Sequence, residues 1–486
     1  MHSISAVAYI AVPAMFRYAN QPHIPMRRKA SRRKETFATQ KSWSSKMRLT
    51  LETAIGRENP CECGKIHRAD LGDIIIGSGV ISQLPALIKK YGGTKPFILD
   101  DVNTRAAAGD RVRELLGDMP FSSHTFPQSH VIPDNNAVGS AIMHFDNSCD
   151  MIIAVGSGVV GDIAKIIAAT ARRPMITVGT APSMDGYASA TSSMARDGLK
   201  YSVPSCCPLA VIGDTDILKN APPRMIASGV GDMVAKYVSI CEWRISNLIT
   251  GEYYCESVAE ALRGALRQVA DNAEALTRRE ASAADSVMRG LLLAGVSMTW
   301  AGLSRPASGL EHSISHIWDM RAEEFGTPSD FHGIQCGVGT LMTLKIYHQL
   351  VRPNKPDRAK AMAHAANFDK EKHFAFLRDF IGSGSAPMIA AEARDGKYDP
   401  AKHAARFDRI EANWDKICAI IDEELPAYED VERLLKTVGA PTTAAELGLS
   451  DVAAPTLHAT CDIRDKYVGS RLLWDLGLID EAAELL

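Results

Sequence analysis

The strongest constraint on the fold is a repeated succession of a short apolar strand, a glycine turn and a helix. Strands are predicted over 73–76, 96–99, 151–155, 174–178 and 209–213. Helices of about 12 residues separate several of them, as in proteins built from strand–helix–strand units. A parallel sheet is covered by helices on both faces, which explains why these strands are apolar throughout. The pattern therefore predicts an α/β domain with a mostly parallel sheet.

The second half of the chain has a different periodicity. Apolar residues recur there at spacings of three and four, for example in 255–272, 281–300 and 334–351, which is typical of helices. A chain of 486 residues is also too long for a single hydrophobic core. We therefore predict an α/β domain over 48–220 and an all-helical domain over 221–486.

The charge distribution sets the N-terminus apart. The net charge of the whole chain is −3, which argues against a nucleic-acid-binding protein. Residues 1–46 carry nine Lys or Arg and a single acid, so they contribute +8 and the remainder −11. We predict that this basic extension is disordered. The alternatives are a later start at Met26 or Met47, or binding of nucleic acid or anionic lipid by the cluster 27–34.

Two further features bear on the location of the protein. The apolar run 4–16 precedes the basic residues, the wrong order for a secretory signal peptide, and it is too short to span a membrane. Ten cysteines are scattered along the chain, which argues against a disulfide framework and favours a reducing compartment. We therefore expect a cytoplasmic protein without a membrane span.

Two cysteines and one histidine lie close together in the chain before the first predicted strand. Cys61-Glu-Cys-Gly-Lys-Ile-His67 resembles half of a metal site, but no second cysteine pair at a suitable spacing completes it. The sequence therefore favours a turn that holds free thiols.

A glycine turn marks a candidate cofactor site. Gly156-Ser-Gly-Val-Val-Gly161 follows a predicted strand and opens a helix, so backbone N–H groups and the helix dipole can approach a pyrophosphate. The usual acid at the end of the next strand is missing, but Asp101 follows the strand 96–99. Asp101 could bind the adenosine ribose hydroxyls, and its charge favours NAD over NADP. The alternative is a helix N-cap or turn residue.

One carboxylate and two imidazoles suggest a metal site in the helical half. Asp232, His312 and His332 each lie close to glycine residues, and three protein ligands leave a coordination position open for catalysis. This donor set suits Zn²⁺, Fe²⁺ or Ni²⁺. His316 lies four residues after His312 and shares its helix face, so it could bind metal or substrate. The alternative for each histidine is a structural role.

Taken together, these motifs resemble the sn-glycerol-1-phosphate dehydrogenase family. That family belongs to the superfamily of iron-containing alcohol dehydrogenases, glycerol dehydrogenase and dehydroquinate synthase. The resemblance covers the following stretches: Asp101-Val-Asn-Thr104, Gly156-Ser-Gly-Val-Val-Gly-Asp162, Thr180-Ala-Pro-Ser-Met-Asp-Gly186, Gly229-Val-Gly-Asp-Met-Val-Ala-Lys236, Ser304-Arg-Pro-Ala-Ser-Gly-Leu-Glu-His-Ser-Ile-Ser-His316 and Phe331-His-Gly333.

The resemblance implies a function and a set of site residues. It implies one divalent metal, with zinc first and nickel or iron as alternatives, held by Asp232, His312 and His332. It implies that Asp185, Asp232 and His316 act on the substrate, in a cleft between the two domains. The implied reaction is the reversible reduction of dihydroxyacetone phosphate to sn-glycerol 1-phosphate. The implied NAD(P) contacts are Gly158, Val159, Val160, Gly161, Asp162, Thr180, Ala181, Pro182, Ser183 and Ser189.

Several alternatives remain open at this point. A glycerol dehydrogenase would act on an unphosphorylated polyol, and a cyclase of the dehydroquinate synthase type normally has Glu where this chain has Asp232. A non-catalytic nucleotide-binding scaffold would have lost a metal ligand. Lys236 and Arg305 are candidate partners of a substrate phosphate, or else structural ion-pair residues. The basic extension and the long helical half depart from the family, and a homo-oligomer is left open.

Overall fold

The computed structural model describes residues 49–196 and 199–486. The predicted basic extension, 1–46, lies outside the described residues, as do the alternatives for its role. The described part forms ten strands: β1 (Asn59–Pro60), β2 (Ile66–His67), β3 (Asp73–Gly77), β4 (Pro96–Asp101), β5 (Ser122–Phe126), β6 (Met151–Gly156), β7 (Met175–Gly179), β8 (Thr191–Arg196), β9 (Leu199–Pro204) and β10 (Ala210–Asp214).

Six of these strands form one parallel sheet in the order β3-β10-β7-β6-β4-β5. Its strands contain the five predicted ones, each with bounds shifted by at most two residues. The sixth, β5, was not predicted, because its sequence Ser-Ser-His-Thr-Phe has too little apolar character. It lies at the edge of the sheet, where it pairs with a neighbouring strand, β4, on one side only.

Helices cover both faces of this sheet. Alternate residues of β6 enter different cores, because successive side chains of a strand point to opposite faces. Ile153 and Val155 pack in one core with Val112, whereas Ile152 and Ala154 pack in the other with Ile163. In this part of the chain the helices are α1 (Leu51–Ala54), α2 (Leu84–Lys90), α3 (Val102–Thr104), α4 (Asp110–Leu116), α5 (Asn135–His144), α6 (Gly158–Ala171) and α7 (Thr215–Leu218).

Among the described residues, no strand follows β10, and the chain continues as helices. They are α8 (Pro223–Thr250), α9 (Glu256–Asp271), α10 (Ala273–Thr277), α11 (Ala281–Ala301), α12 (Leu310–Phe325), α13 (His332–Ile346), α14 (Arg358–Asn367), α15 (Lys370–Ile381), α16 (Ser385–Asp395), α17 (Pro400–Ala412), α18 (Trp414–Glu424), α19 (Tyr428–Thr437), α20 (Ser450–Ala459), α21 (Gly469–Leu476) and α22 (Ile479–Glu484).

The predicted fold class, a parallel α/β part followed by a helical part, is therefore confirmed. The last strand of the sheet and the long helix α8 lie on either side of residue 220, although the division into separate domains stays a prediction. None of the helices in the described ranges is both long and apolar enough to cross a bilayer.

Two small antiparallel pairs complete the fold. Strands β1 and β2 pair just before the sheet begins, and β8 pairs with β9 in the connection between β7 and β10. The second pair was not predicted, because Ser and Thr in β8 give no apolar run. It follows a single 3₁₀ turn, Asp185–Ala188, which packs closely on α11, since a Cβ at Gly295 would lie 2.5 Å from the Asp185 carbonyl oxygen.

Candidate active site with a metal centre

The glycine turn and Asp101 meet at the edge of the sheet formed by the carboxyl ends of the parallel strands. Strands β4 and β6 are neighbours, and the strand order runs in opposite directions on either side of this pair. Ligands of open α/β sheets bind at such a switch point. Gly156 ends β6 and Asp101 ends β4, so the acid is on the adjacent strand even though it comes earlier in the chain.

The N-terminus of α6 suits an anion. The preceding residue, Ser157, makes no side-chain cap, and Gly158 is the first residue of a helix of 14 residues. The first N–H groups of a helix carry partial positive charge and lack partners within the helix. The predicted contacts Gly158, Val159, Val160, Gly161 and Asp162 all lie in this first turn and the start of the second.

Asp101 has a structural contact that the sequence left open as an alternative. Its Oδ1 accepts hydrogen bonds from the backbone N–H groups of Asn103 and Thr104, each at 2.8 Å, so it caps α3. An N-cap uses one carboxylate oxygen. Binding of the ribose by Asp101 therefore stays a prediction.

A buried lysine that the sequence analysis missed holds the next predicted contacts in place. Lys165 Nζ donates to Asp162 Oδ1 at 3.1 Å, to Ser189 Oγ at 3.2 Å and to the carbonyls of Gly186 and Thr191. A buried ammonium requires such partners. Asp162 and Ser189 thus connect α6 to the 3₁₀ turn and to β8. An acid and a lysine three residues apart on a helix can form an ion pair, so the spacing of Asp162 and Lys165 was the sequence feature that could have indicated this contact.

The loop after β7 connects the sheet to the helices. It contains the predicted cofactor contacts Thr180, Ala181, Pro182 and Ser183. Ser228 Oγ of α8 donates to the Ser183 carbonyl at 2.8 Å, and a Cβ at Gly229 would lie 1.9 Å from the Pro182 carbonyl oxygen. Only glycine allows this close approach, so the loop rests directly on the backbone of α8.

Asp185, Asp232 and Lys236 form a buried cluster just beyond this loop. Lys236 Nζ donates to Asp185 Oδ2 and to Asp232 Oδ1, both at 2.7 Å, and the Asp185 N–H donates to Asp232 Oδ2 at 2.9 Å. Burial raises the pKa of Asp232, but the Lys236 ammonium and the two histidines His332 and His312 outweigh it and bring this pKa to about 2. Asp232 is therefore ionised at neutral pH, the form that binds a metal.

His312 turns one ring nitrogen toward this cluster. Its Nε2 lies 3.7 Å from Asp232 Oδ1, and its Nδ1 lies 2.8 Å from Glu311 Oε1. Burial, and then the Lys236 ammonium, lower the pKa of His312 to about 4, so the ring is neutral as a metal ligand must be. A carboxylate on the second ring nitrogen fixes the orientation of a ligating imidazole. Glu311 has this role by its position, and the sequence analysis missed it.

His332 begins α13 and faces His312, with ring centroids 5.0 Å apart. Its Nδ1 lies 3.1 Å from Ser315 Oγ. Cys336, one turn later, places Sγ 3.5 Å from His332 Nε2. Burial raises the pKa of Cys336 well above the ordinary value, so its thiol is neutral there. A neutral thiol is compatible with the predicted donor set of one carboxylate and two imidazoles.

His316 lies one turn after His312 and stacks on His332, with centroids 5.6 Å apart. Ligand atoms of His316, Asp319 and His332 lie within 4.8 Å of one another. The geometry therefore places His316 beside the predicted metal ligands, and its assignment to the substrate rather than to a metal stays a prediction.

The donor atoms around His312 and His332 suit a divalent metal. Ligand atoms of Asp185, Asp232 and His312 lie within 4.8 Å of one another, and so do those of His312, His332 and Cys336. His312 belongs to both groups and links Asp232 to His332. Carboxylate and imidazole donors in a buried position fit zinc, iron or nickel.

The two cations expected to meet a phosphate have other partners. Lys236 is paired with carboxylates, as described above. Arg305 is only 1 % exposed and donates to the carbonyls of Glu242 and Tyr467 at 3.0 and 2.8 Å. The contacts of Lys236 and of Arg305 are therefore with groups of the protein itself.

A third cation, Lys466, lies beside the site and was missed by the sequence analysis. Its Nζ donates to Ser308 Oγ at 3.2 Å, four residues before His312. It is half-buried. Burial and the neighbouring Arg305 and Arg464 lower the pKa of Lys466 to about 7, which indicates that no carboxylate fully compensates its charge.

Comparison with known proteins identifies the family of the chain. Residues 75–222 match the model of the iron-containing alcohol dehydrogenase family. The chain is 33% identical over 316 residues to the glycerol-1-phosphate dehydrogenase [NAD(P)+] of Bacillus licheniformis, covering 64% of this chain and 79% of that protein. The chain belongs to the glycerol-1-phosphate dehydrogenase family.

Other members of the glycerol-1-phosphate dehydrogenase family come from distant organisms. The protein of that name from Methanosarcina mazei is 34% identical over 279 residues, which is 57% of this chain and 76% of that one. Among solved structures, glycerol dehydrogenase from Schizosaccharomyces pombe has a TM-score of 0.55 at 18% identity, covering 85% of this chain and 89% of that one. This likeness supports the fold expected for the family.

Proposed function

We propose that the chain catalyses the reversible, NAD(P)H-dependent reduction of dihydroxyacetone phosphate to sn-glycerol 1-phosphate. The observation that carries the proposal is the position of His312, whose ligand atom lies within 4.8 Å of those of Asp232 in one group and of His332 in another. It occurs in a chain that belongs to the glycerol-1-phosphate dehydrogenase family. The nicotinamide cofactor binds at the N-terminus of α6 and the loop after β7, and the capping carboxylate of Asp101 favours NAD.

Asp232, His312 and His332 hold a divalent metal, with zinc first and nickel or iron as alternatives. A bound metal of this kind polarises the ketone oxygen and stabilises the negative charge that develops on it. Glu311 keeps His312 oriented, and the Lys236 ammonium holds the carboxylates of Asp185 and Asp232 in position and helps to keep the pKa of Asp232 low. Preorganised charges of this kind lower the barrier without having to rearrange during the reaction.

The reaction needs one hydride and one proton. A bound reduced nicotinamide would supply the hydride, and residues of the chain must deliver a proton to the former ketone oxygen. His316 is positioned for this transfer, because it lies one turn after His312 and stacks on His332. We also assign Asp185 to the substrate; the Lys236 ammonium, 2.7 Å away, holds its carboxylate in position.

Lys466 binds the substrate phosphate in this proposal. It is near the start of α12, the helix that carries His312, and its Ser308 partner leaves two further ammonium hydrogens for an anion. Arg305 and Arg464 add positive charge around it. Arg305 and Lys236 are not proposed as direct phosphate ligands, because Lys236 donates to two carboxylates and Nη2 of Arg305 donates to two carbonyls.

A direct assay tests the proposal. Purified protein loaded with zinc or nickel should oxidise NADH or NADPH in the presence of dihydroxyacetone phosphate, and chiral analysis should identify sn-glycerol 1-phosphate. The second candidate is a glycerol dehydrogenase, favoured by the fold of solved relatives alone. Oxidation of NADH with dihydroxyacetone but not with its phosphate would favour that candidate and contradict the proposal. Oligomeric state and cytoplasmic location stay predictions.

A further inference from the structure

A second group of metal-binding side chains lies away from the candidate active site. It consists of Cys61, Cys63, His67 and Cys255, whose Sγ and ring nitrogen atoms all lie within 4.8 Å of one another. Cys255 and His67 are 188 residues apart in the chain. The sequence favours free thiols here, because no second cysteine pair lies at a suitable spacing. The fold instead supplies one further cysteine to complete a set of four.

The distances within this group match those of a tetrahedral zinc site. Sulfur ligands about 2.3 Å and nitrogen ligands about 2.0 Å from zinc are separated by about 3.8 Å for two sulfurs and about 3.6 Å for sulfur and nitrogen. Cys61 Sγ lies 3.6 Å from Cys255 Sγ. His67 Nε2 lies 3.4 Å from both Cys63 Sγ and Cys255 Sγ.

The local backbone brings the first three ligands together. Strands β1 and β2 form a short hairpin around the cysteines, in which Cys61 N–H donates to the Lys65 carbonyl and Gly64 N–H to the Cys61 carbonyl, each at 3.0 Å. Gly64 has φ +84°, which a side chain would strain. The tight turn points both thiols and His67 in one direction.

The surrounding side chains orient these ligands. His67 Nδ1 lies 3.0 Å from the Trp300 carbonyl, so its proton resides there and Nε2 is left as the ligand atom. Such a carbonyl partner is typical of a metal-binding histidine. The Tyr253 hydroxyl lies 3.1 Å from Cys63 Sγ and Ser257 Oγ lies 3.5 Å from Cys61 Sγ. Both hydroxyls can donate to thiolates.

A disulfide is the simplest competing account of two close sulfurs. Cys61 and Cys255 are free, as are the other cysteines of the described residues. A disulfide between them would not explain why Cys63 Sγ and the oriented Nε2 of His67 also point toward the same place. The convergence of four donors, together with the carbonyl behind the histidine, favours a metal.

We propose that Cys61, Cys63, His67 and Cys255 bind a structural zinc ion that fastens the β1–β2 hairpin to the start of α9. Four protein ligands close the coordination sphere, which distinguishes a structural site from a catalytic one with three. Three of the ligands precede the parallel sheet, and Cys255 belongs to the helical part. The ion therefore connects two segments that the sequence separates widely.

Elemental analysis of the purified full-length protein tests this site. The wild type should contain about one zinc per chain more than the Cys63→Ser variant. The Cys418→Ser variant is the matched control, since Cys418 is a buried thiol of α18 outside the group, and it should keep the wild-type zinc content. The His332→Ala variant should also keep this zinc, even if the candidate active site loses its metal. Equal zinc in the wild type and Cys63→Ser would overturn the proposal.

A spectroscopic measurement covers the case in which Cys63→Ser does not fold. X-ray absorption at the zinc edge of the His332→Ala variant should show three sulfur neighbours and one nitrogen. A shell of only oxygen and nitrogen, or a Cys61–Cys255 disulfide found by mass spectrometry of protein purified without oxidant, would contradict the site. Because the readout is metal coordination, it is independent of the proposed reaction.

Discussion

The charges of Asp185, Asp232 and Lys236 in the candidate active site do not cancel. Asp185 and Asp232 carry two negative charges, and the Lys236 ammonium offsets one of them. His312 is neutral, since burial and the Lys236 ammonium lower its pKa to about 4. The remaining negative charge and the neutral ring nitrogens together favour a cation at this position.

Substitution of His332 and substitution of its neighbour His316 should have different effects on the protein. We expect His332→Ala to lose bound metal and more than about 100-fold in kcat, since even outer partners of a metal site contribute 10- to 100-fold. His316→Ala should keep the metal yet lose activity. Metal content by elemental analysis, measured beside turnover, separates the two roles. A metal-free His316→Ala protein would identify His316 as a ligand.

Lys466 gives a prediction about substrate specificity. Lys466→Met should lower kcat/KM for dihydroxyacetone phosphate about 10- to 100-fold, because a charged hydrogen bond contributes about 1.5–3 kcal/mol. Reduction of dihydroxyacetone should change little, since that ketone has no phosphate. Equal losses for the two ketones would indicate that Lys466 does not bind the phosphate.

The same residue predicts a pH dependence. The pKa of Lys466 is lowered to about 7, so its ammonium is present below pH 7 and is lost as the pH rises above it. The ratio of kcat/KM for the phosphorylated and unphosphorylated ketones should therefore fall above pH 7 in the wild type. In Lys466→Arg, whose guanidinium stays charged, this ratio should be flat. A ratio that falls equally in both proteins would assign the titration to another group.

At the scale of elements, the site depends on the close contact of α8 and α13. A Cβ at Gly231 would lie 2.1 Å from the Gly333 carbonyl oxygen, and one at Gly333 would lie 1.8 Å from the Ser228 carbonyl oxygen. Backbone atoms cannot yield as flexible side chains do. These glycines therefore fix the distance between Asp232, next to Gly231, and His332, next to Gly333.

Enlarging one of these glycines should affect both stability and metal binding. Gly231→Ala should lower the free energy of unfolding by about 1–3 kcal/mol, the usual cost of overpacking, and should also weaken metal binding. Denaturant unfolding and a metal titration measure the two effects. Gly139→Ala is the control, because a Cβ there meets nothing within 4 Å and alanine favours a helix by up to about 1 kcal/mol. Similar stability of the two variants would contradict the packing argument.

At the scale of the whole molecule, the basic extension is predicted to be separate from the catalytic part. Every residue assigned to the cofactor, the catalytic metal and the substrate lies from Asp101 to Lys466, and the first ligand of the proposed structural zinc site is Cys61. Deleting residues 1–46 should therefore leave kcat, KM and metal content within about twofold of the full chain, as expected for changes away from a site. The ketone-reduction assay with both proteins checks this. An inactive truncated protein would show that the extension belongs to the fold.

Much of the fold was predictable because its signals are local. The five apolar strands, the glycine turn and the long helices α9 and α11 are encoded by periodicity within short windows, and the structure confirms them within a few residues. Strand β5 and the β8–β9 pair were not predictable, because their polar sequences are stabilised by neighbouring elements rather than by their own apolar pattern.

The candidate active site and the proposed zinc site also combine features that were predictable from sequence with contacts that were not. The sequence alone determined the fold class, the family motifs and the residue types of the candidate active site, since these depend on neighbours in the chain. Only the tertiary structure decided that Glu311 contacts His312, that Lys466 contacts Ser308 near the start of α12, and that Cys255 joins Cys61, Cys63 and His67. These contacts join residues distant in sequence, or depend on the direction of a side chain, and packing of the whole chain determines both.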